Sequence, residues 1–243
     1  MLRYFFAIVC SLQLCAADDH KNIASEKNII FSGLQWELRN TNSVQGPGPN
    51  YFSERCAWAD DKGFLHLYMH KDSVTGHWLC PEITSEKKFG YGVYRFSVAG
   101  AIDTLDKNVV LGLFNYSGHD GFDEIDIELG RWGNAGYPNL NYTVWPAEKG
   151  FTNNAYTKEY KQKKNFSIQQ FTWRKNSVDF ATFDGEQPDS TELVASYTCT
   201  QPPASISSLE MPVHINLWLF GGRPPADDKP VEIVIRRFDF QPQ

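Results

Sequence analysis

The stretch DGFDEIDIELG, residues 120–130, carries the side chains best suited to chemistry. Its carboxylates Glu124, Asp126 and Glu128 alternate with branched apolar residues. Because successive side chains of a β-strand point to opposite faces, the three carboxylates would share one face of a strand and the apolar residues the other. Like charges about 7 Å apart repel one another, and a merely solvated face would gain more from mixed charges. A reactive carboxyl cluster is therefore favoured over a solvated acidic face.

Such a cluster suits acid–base and nucleophilic chemistry on a sugar. The Cα atoms of Glu124 and Glu128 would lie about 13 Å apart along a strand. Side chains that lean together could reach the carboxyl separation of about 5–5.5 Å that a retaining glycosidase needs. Crowding also pushes neighbouring pKa values apart, so that one carboxyl stays ionised while another keeps its proton near neutral pH. The spacing does not match a calcium-binding loop, which needs a glycine at its sixth position.

The elements that must position these residues are predicted to be β-strands. Runs rich in β-branched and aromatic residues recur between turn residues, and no twelve-residue stretch shows a convincing helical period. We predict strands over 63–70, 91–100, 108–116, 123–129, 139–145, 166–174, 177–183, 213–220 and 231–240, with a hairpin turn at 175–176. About ten strands indicate an all-β fold, a two-sheet β-sandwich or jelly roll. The seven tryptophans could fill its core or line a concave sugar-binding cleft.

The N-terminus has the layout of a secretory signal peptide. A single arginine precedes a short apolar run from Tyr4 to Leu14, and small residues follow it. The run is too short to span a bilayer, and cleavage after Ala17 is expected. A lipid anchor at Cys15 is disfavoured because Leu14 stands where a small residue is needed. We expect residues 18–243 to form one domain that is secreted or periplasmic.

Charge and cysteine content narrow the range of partners. The net charge of −6 with scattered Lys and Arg argues against nucleic acid, which needs a basic stripe. Without a polybasic cluster there is no case for a membrane partner either, and we expect a monomer without a catalytic cofactor. Of Cys56, Cys80 and Cys199, two are expected to pair in an exported protein. Their spacing matches no zinc site.

The segment EIDIE, residues 124–128, resembles the signature of glycoside hydrolase family 16. This family consists of retaining β-glycanases with a jelly-roll fold, and the resemblance is to its lichenase (β-1,3-1,4-glucanase) branch in particular. The segments FGYGVYRFSV, LFNYSG, NLNYTVW and HINLWLFGG resemble further family segments in the same order, from about Tyr51 to Phe240. The resemblance implies an endo-β-glycanase that hydrolyses a β-1,3-1,4- or β-1,3-glucan by double displacement. A transglycosylase of the same family and a lectin-like carbohydrate-binding protein stay open as alternatives.

The resemblance also implies roles for single residues. Glu124 would be the nucleophile, Asp126 its assisting carboxylate and Glu128 the general acid/base. The implied substrate contacts are Glu82, Phe114, Tyr116, Trp132, Asn141, Asn216 and Trp218. A Cys56–Cys80 disulfide and a structural calcium at Asp239 are implied as well.

Three departures from the family pattern fall near the implied substrate contacts. Phe122 stands where lichenases carry a tryptophan, Thr84 replaces an arginine, and Thr143 replaces a tyrosine. These changes spare the three carboxylates. The resemblance therefore implies intact chemistry and leaves the particular polysaccharide open.

Overall fold

A computed structural model describes residues 27–243, so the predicted signal peptide and Cys15 lie outside the described residues. The described chain forms seventeen strands and four short 3-10 helices. The strands are β1 (Asn28–Phe31), β2 (Leu34–Leu38), β3 (Tyr51–Phe52), β4 (Ala57–Ala59), β5 (Leu65–Lys71), β6 (Trp78–Cys80), β7 (Glu82–Phe89), β8 (Gly92–Ala99), β9 (Val109–Tyr116), β10 (Glu124–Leu129), β11 (Leu140–Trp145), β12 (Asn154–Lys158), β13 (Phe166–Arg174), β14 (Ser177–Asp184), β15 (Leu193–Thr200), β16 (Met211–Leu219) and β17 (Val231–Pro242). The 3-10 helices are Glu54–Cys56, Ile102–Thr104, Ser190–Glu192 and Phe220–Gly222. Within this range no helix has the length and apolar character needed to cross a membrane.

The strands form two sheets. The first has the order β1-β2-β7-β16-β9-β10-β11-β12. The second has the order β15-β14-β13-β8-β17-β5-β6-β3, and β4 also pairs with β5. The pairings are antiparallel except for the short parallel pair of β3 and β6. The prediction of an all-β, two-sheet sandwich of the jelly-roll type is confirmed.

Burial between the sheets explains how β10 is oriented. Ile125, Ile127 and Leu129 are at most 1% exposed and belong to the core. Burying an apolar side chain of this size stabilises the fold by about 1.5–3 kcal/mol, so a one-residue slip of β10 would be strongly unfavourable. The alternation of the strand then directs Glu124, Asp126 and Glu128 to the opposite face of the sheet, away from the core.

All nine predicted strands are present, with ends that differ by about two residues or fewer. The predicted hairpin is also present, because Arg174 pairs with Ser177 across residues 175 and 176. The sequence did not reveal β1, β2, β3, β4, β6, β7, β12 or β15, most of which are short. The missed strand β7 matters most, because Glu82 is its first residue.

The expected Cys56–Cys80 disulfide is wrong for this structure. Cys56, Cys80 and Cys199, the cysteines of the described range, are all free and buried. The two sulfurs have separate partners: Cys56 Sγ lies 3.8 Å from His70 Nδ1, and Cys80 Sγ lies 3.6 Å from Asn50 Oδ1. Burial raises the pKa of the Cys56 thiol to about 12, which keeps it protonated.

The surroundings of Asp239 do not fit the calcium ion that the resemblance implied. Arg237 Nε donates to Asp239 Oδ1 at 2.6 Å, and Arg95 lies opposite Asp239 in the strand register. A guanidinium group bonded to this carboxylate disfavours a divalent cation there. In residues 27–243 no group of three or more His, Cys, Asp or Glu side chains is arranged to hold a metal ion.

Candidate active site

A cleft of about 520 Å³ lies on the face of the first sheet that points away from the core. Strands β7, β16, β9, β10 and β11 lie side by side beneath it, so paired residues form rows across its floor. The Glu128 row runs Glu82, Asn216, Gly112, Glu128, Asn141. The Asp126 row runs Thr84, His214, Phe114, Asp126, Thr143. Residues far apart in the chain therefore meet because of strand register alone.

The three carboxylates of β10 occupy successive rows. Glu124 and Glu128 are half-buried, whereas Asp126 between them is 4% exposed. Trp145 Nε1 donates a hydrogen bond of 2.8 Å to Asp126 Oδ2. Glu124 and Asp126 also share a side-chain hydrogen bond. Asp126 is thus held between an indole donor and Glu124.

Burial and crowding raise all three carboxyl pKa values. Desolvation, with a contribution from Asp120, raises the pKa of Glu124 to about 7 even though its hydrogen bond with Asp126 lowers it. Desolvation and the charge of Glu124 raise the pKa of Glu128 to about 8. The pKa of Asp126 lies well above its ordinary value because it is buried between both glutamates. Near neutral pH, Glu124 therefore ionises before Glu128, which keeps its proton.

A polar niche lies beside Glu128. Asn216 is 1% exposed, and its Nδ2 donates to Glu82 Oε2 at 3.2 Å. Its Oδ1 accepts no hydrogen bond from any described residue. A Cβ atom on Gly112 would lie 2.4 Å from this oxygen, so only glycine leaves room for it. An unsatisfied buried acceptor costs about 1–3 kcal/mol, a penalty that a ligand hydroxyl could remove.

Aromatic side chains flank the carboxylates. Phe114 stacks on His214, with ring centroids 4.9 Å apart and 17° between the planes. The Tyr116 hydroxyl donates to Asp120 Oδ1 at 2.5 Å. Trp218 is 6% exposed, lines the cleft and lies 6.0 Å from Trp132 between ring centroids. The cleft therefore has ring surfaces on both sides of the acidic cluster.

Most of the predicted site residues meet in this cleft. Its lining includes Glu82, Phe114, Tyr116, Glu124, Asp126, Glu128, Asn216 and Trp218. Trp132 is not part of the cleft lining, but its ring lies next to that of Trp218, which is. Asn141 lies beside Glu128, but its Nδ2 donates to the backbone oxygens of Gly130 at 3.0 Å and Glu128 at 3.4 Å. Asn141 thus holds the end of β10 through its amide group.

Sequence reasoning missed four residues of the site: Arg39, Asp120, Trp145 and His214. Arg39, Asp120 and His214 line the cleft, and Trp145 holds Asp126. His214 stands two positions before Asn216 on a strand, and this alternation could have identified it. Arg39 carried no comparable signal, because it follows a strand that the sequence did not reveal.

The fold resembles solved β-glucanase structures. A β-1,3-1,4-glucanase (lichenase) from a mouse hindgut metagenome is 21% identical, with a TM-score of 0.63 over 86% of this chain and 93% of its own. The β-glucanase of Bacillus licheniformis is 18% identical, with a TM-score of 0.67 over 89% and 96%. A pseudo β-1,3-glucanase and immunostimulatory antigen of Mycobacterium tuberculosis is 16% identical, with a TM-score of 0.63 over 85% and 91%. No protein-family profile matches the sequence, and no curated protein does.

These likenesses define a class of fold, the two-sheet jelly roll of β-glucanases. This is the fold that the resemblance to glycoside hydrolase family 16 predicted, and at the level of the fold that prediction is confirmed. Fold alone does not determine activity, which depends on the residues of the cleft.

Proposed function

We propose that this protein is a secreted, retaining glycoside hydrolase that cleaves internal bonds of a β-1,3-1,4- or β-1,3-glucan. The observation that carries the proposal is the cluster of three carboxylates on one face of β10, lining the cleft, where burial raises the pKa values of Glu124 and Glu128. Retaining hydrolysis needs a division between an ionised nucleophile and a protonated acid. The presence of all three carboxylates favours an enzyme over a lectin-like protein.

The first chemical step uses both glutamates. The ionised Glu124 attacks the anomeric carbon and forms an ester to the sugar, while the bond to the leaving oxygen breaks. Glu128 gives its proton to that oxygen as general acid. Asp126 orients Glu124 through their shared hydrogen bond and is itself fixed by the Trp145 indole N–H.

The second step releases the sugar. Glu128, now a carboxylate, takes a proton from a water molecule, and the resulting hydroxide attacks the anomeric carbon. The ester bond breaks and Glu124 leaves as a carboxylate. Two displacements invert the anomeric centre twice, so the product keeps the β configuration of the substrate. If a sugar hydroxyl replaces the water, the same residues carry out transglycosylation.

The cleft walls suit a glucan chain. The rings of Phe114, Tyr116 and Trp218 offer apolar surfaces to the C–H faces of sugars, and the niche at Asn216 offers an acceptor for a hydroxyl. Solved proteins with this fold include a β-1,3-1,4-glucanase, which supports β-glucan as the substrate class.

The test is reducing-sugar release from lichenan, laminarin, xyloglucan, agarose and carrageenan, with Glu124→Gln as the control variant. We expect activity on lichenan or laminarin that the control lacks, and β-configured first products by NMR. A 2-deoxy-2-fluoro glucoside should label the peptide that contains Glu124. Inverted products, or label on another peptide, would contradict the mechanism.

Two further outcomes would change the assignment. Longer oligosaccharides without net reducing-sugar release would identify a transglycosylase. Glucan binding without any bond cleavage would identify a binding protein, the lectin-like alternative.

A further inference from the structure

Arg39 joins one wall of the cleft to its floor. It directly follows β2, and its Nη1 donates to Glu82 Oε2 at 2.8 Å. Its Nη2 donates to Gln45 Oε1 at 3.1 Å and to the Gly46 backbone oxygen at 2.8 Å, both in the loop that lines the cleft. The guanidinium also lies over the Phe52 ring, 3.9 Å from its centroid. One side chain therefore fixes both the loop and Glu82.

Protein donors hold Glu82 through one of its carboxylate oxygens. Oε2 accepts from Arg39 and from Asn216 Nδ2. His214 Nδ1 lies 3.6 Å from Oε1, while its hydrogen bond is the 3.0 Å contact with Thr84 Oγ1. Burial alone would raise the pKa of Glu82, but interactions with His214 and with the charge of Arg39 outweigh it and lower the pKa. An ionised carboxylate accepts hydrogen bonds and donates none.

This acceptor determines which way the Asn216 amide faces. Since Glu82 can only accept, the NH₂ group of Asn216 must turn toward Glu82, which leaves Oδ1 toward Gly112 and the niche beside Glu128. Without an ionised, fixed Glu82 the amide could rotate and present its donors to the cleft instead.

We propose that Arg39 is a positioning residue of the cleft, which acts through Glu82 to hold the Asn216 amide oxygen in the niche as an acceptor for a substrate hydroxyl. This inference rests on the proposed function and extends it. It also gives Glu82 a positioning role in place of the substrate contact that the family resemblance implied. The guanidinium comes from the end of β2, whereas the family pattern places an arginine at position 84.

The geometry requires an arginine. The planar fork of a guanidinium can donate to Glu82 and to the loop at once from fixed directions, whereas a lysine ammonium is a flexible point charge. Lysine at position 39 would keep the charge beside Glu82 and lose the fixed orientation.

The first test measures binding in a Glu124→Gln background, which prevents turnover. The dissociation constants of a barley β-glucan tetrasaccharide and of laminaripentaose are measured by calorimetry for the parent, Arg39→Met, Asn216→Ala and the double variant. Loss of one buried hydrogen bond to the ligand corresponds to weakening by about tenfold in each single variant. Because Arg39 is proposed to affect the ligand through Asn216 rather than through the loop at Gln45 and Gly46, the double variant should bind within about twofold of Asn216→Ala.

Additive effects in the double variant would overturn the proposal. Arg236→Met is the matched control: Arg236 pairs with Glu186 and stacks on Phe166, on the opposite sheet. It should leave the dissociation constants unchanged. If Arg39→Met does not fold, Arg39→Lys takes its place, with an expected weakening of about two- to threefold and the same non-additivity.

A second measurement needs no sugar. The side-chain amide signals of Asn216 are followed by ¹H–¹⁵N NMR in the otherwise unmodified protein. They should move in Arg39→Met and in Glu82→Gln and stay in place in Arg236→Met. Unmoved signals in Arg39→Met would overturn the proposal whether or not a glucan binds. Moved signals without glucan binding by the parent would support the role of Arg39 while rejecting the proposed function.

Discussion

The elevated pKa of Glu128 has a consequence for stability that can be measured without any substrate. Its pKa is raised from an ordinary value of 4.5 to about 8 because it is desolvated and lies near Glu124. Between these two pH values the unfolded chain loses this proton while the folded protein keeps it. The free energy of unfolding therefore falls as the pH rises through this window and changes no further above it. Glu128→Gln has no proton to lose, so the variant escapes this loss.

The size of the effect follows from the two pKa values. The Glu128 pKa rises from 4.5 in the unfolded chain to about 8 in the folded protein. At about 1.36 kcal/mol for each pH unit, this difference corresponds to roughly 5 kcal/mol of unfolding free energy if solvent screening is ignored. Glu128 lies in an open cleft where water screens its charge, so we expect about 2–3 kcal/mol. The gap in unfolding free energy between Glu128→Gln and the wild type should widen by that amount from pH 5 to pH 9.

Urea unfolding followed by tryptophan fluorescence at pH 5 and pH 9 measures this gap. Titrating groups remote from Glu128 affect both proteins alike and cancel in the comparison. Asp126 does not cancel, because the charge of Glu128 helps to raise its pKa; losing that contribution in the variant widens the gap in the same direction. Glu186→Gln, which removes an exposed carboxyl in the loop after β14, serves as the control for the loss of a surface carboxylate. An equal gap for Glu128→Gln at both pH values would refute the reasoning that burial keeps Glu128 protonated.

Three further predictions concern activity. Glu124→Ala should reduce kcat by at least about 10³-fold with little change in the melting temperature. Undiminished turnover would show that Glu124 on β10 has no catalytic role. The pH profile of kcat/KM should be bell-shaped, with its acidic limb near 7 as Glu124 gains a proton and its alkaline limb near 8 as Glu128 loses one; a flat profile from pH 6 to 9 would contradict these roles. Trp218→Ala should raise KM for laminarin. A loss of about 3–5 kcal/mol in stability, measured by thermal melts, would instead show that the Trp218 ring chiefly fills the core.

Local pattern explains why much of the fold could be predicted. On β10, isoleucine and acidic residues alternate, so one short segment shows both the buried face and the reactive face. β7 reads EITSEKKF, and its polar residues obscure the alternation. It was missed although it lies next to β16 in the sheet. Strand neighbours depend on the whole topology, which a single sequence does not display.

The site likewise contains residues that one segment of sequence reveals and residues that only the sheet topology brings together. The carboxylates of β10 come from one segment and could be predicted together. Arg39, Glu82 and His214 meet through contacts that join residues 43 and 132 positions apart, and only the sheet register brings them together. The disulfide prediction was wrong because the pairing was taken from the resemblance. In this structure Cys80 Sγ contacts Asn50 and Cys56 Sγ contacts His70, and both cysteines are free.

Because Arg39 holds Glu82, the arrangement of the cleft depends on the hairpin of β1 and β2 at the edge of the first sheet. β1 is the edge strand of the first sheet, β2 pairs with both β1 and β7, and Arg39 directly follows β2. Edge strands have a neighbour on one side only and belong to the parts of a protein that open locally before the whole unfolds. Each local opening of the β1–β2 hairpin would remove the Arg39 guanidinium from Glu82. The carboxylates of β10 would keep their positions, because β10 is paired on both sides with β9 and β11. Heat should therefore weaken glucan binding below the temperature of global unfolding, so that the working range of this protein is set by its outermost hairpin.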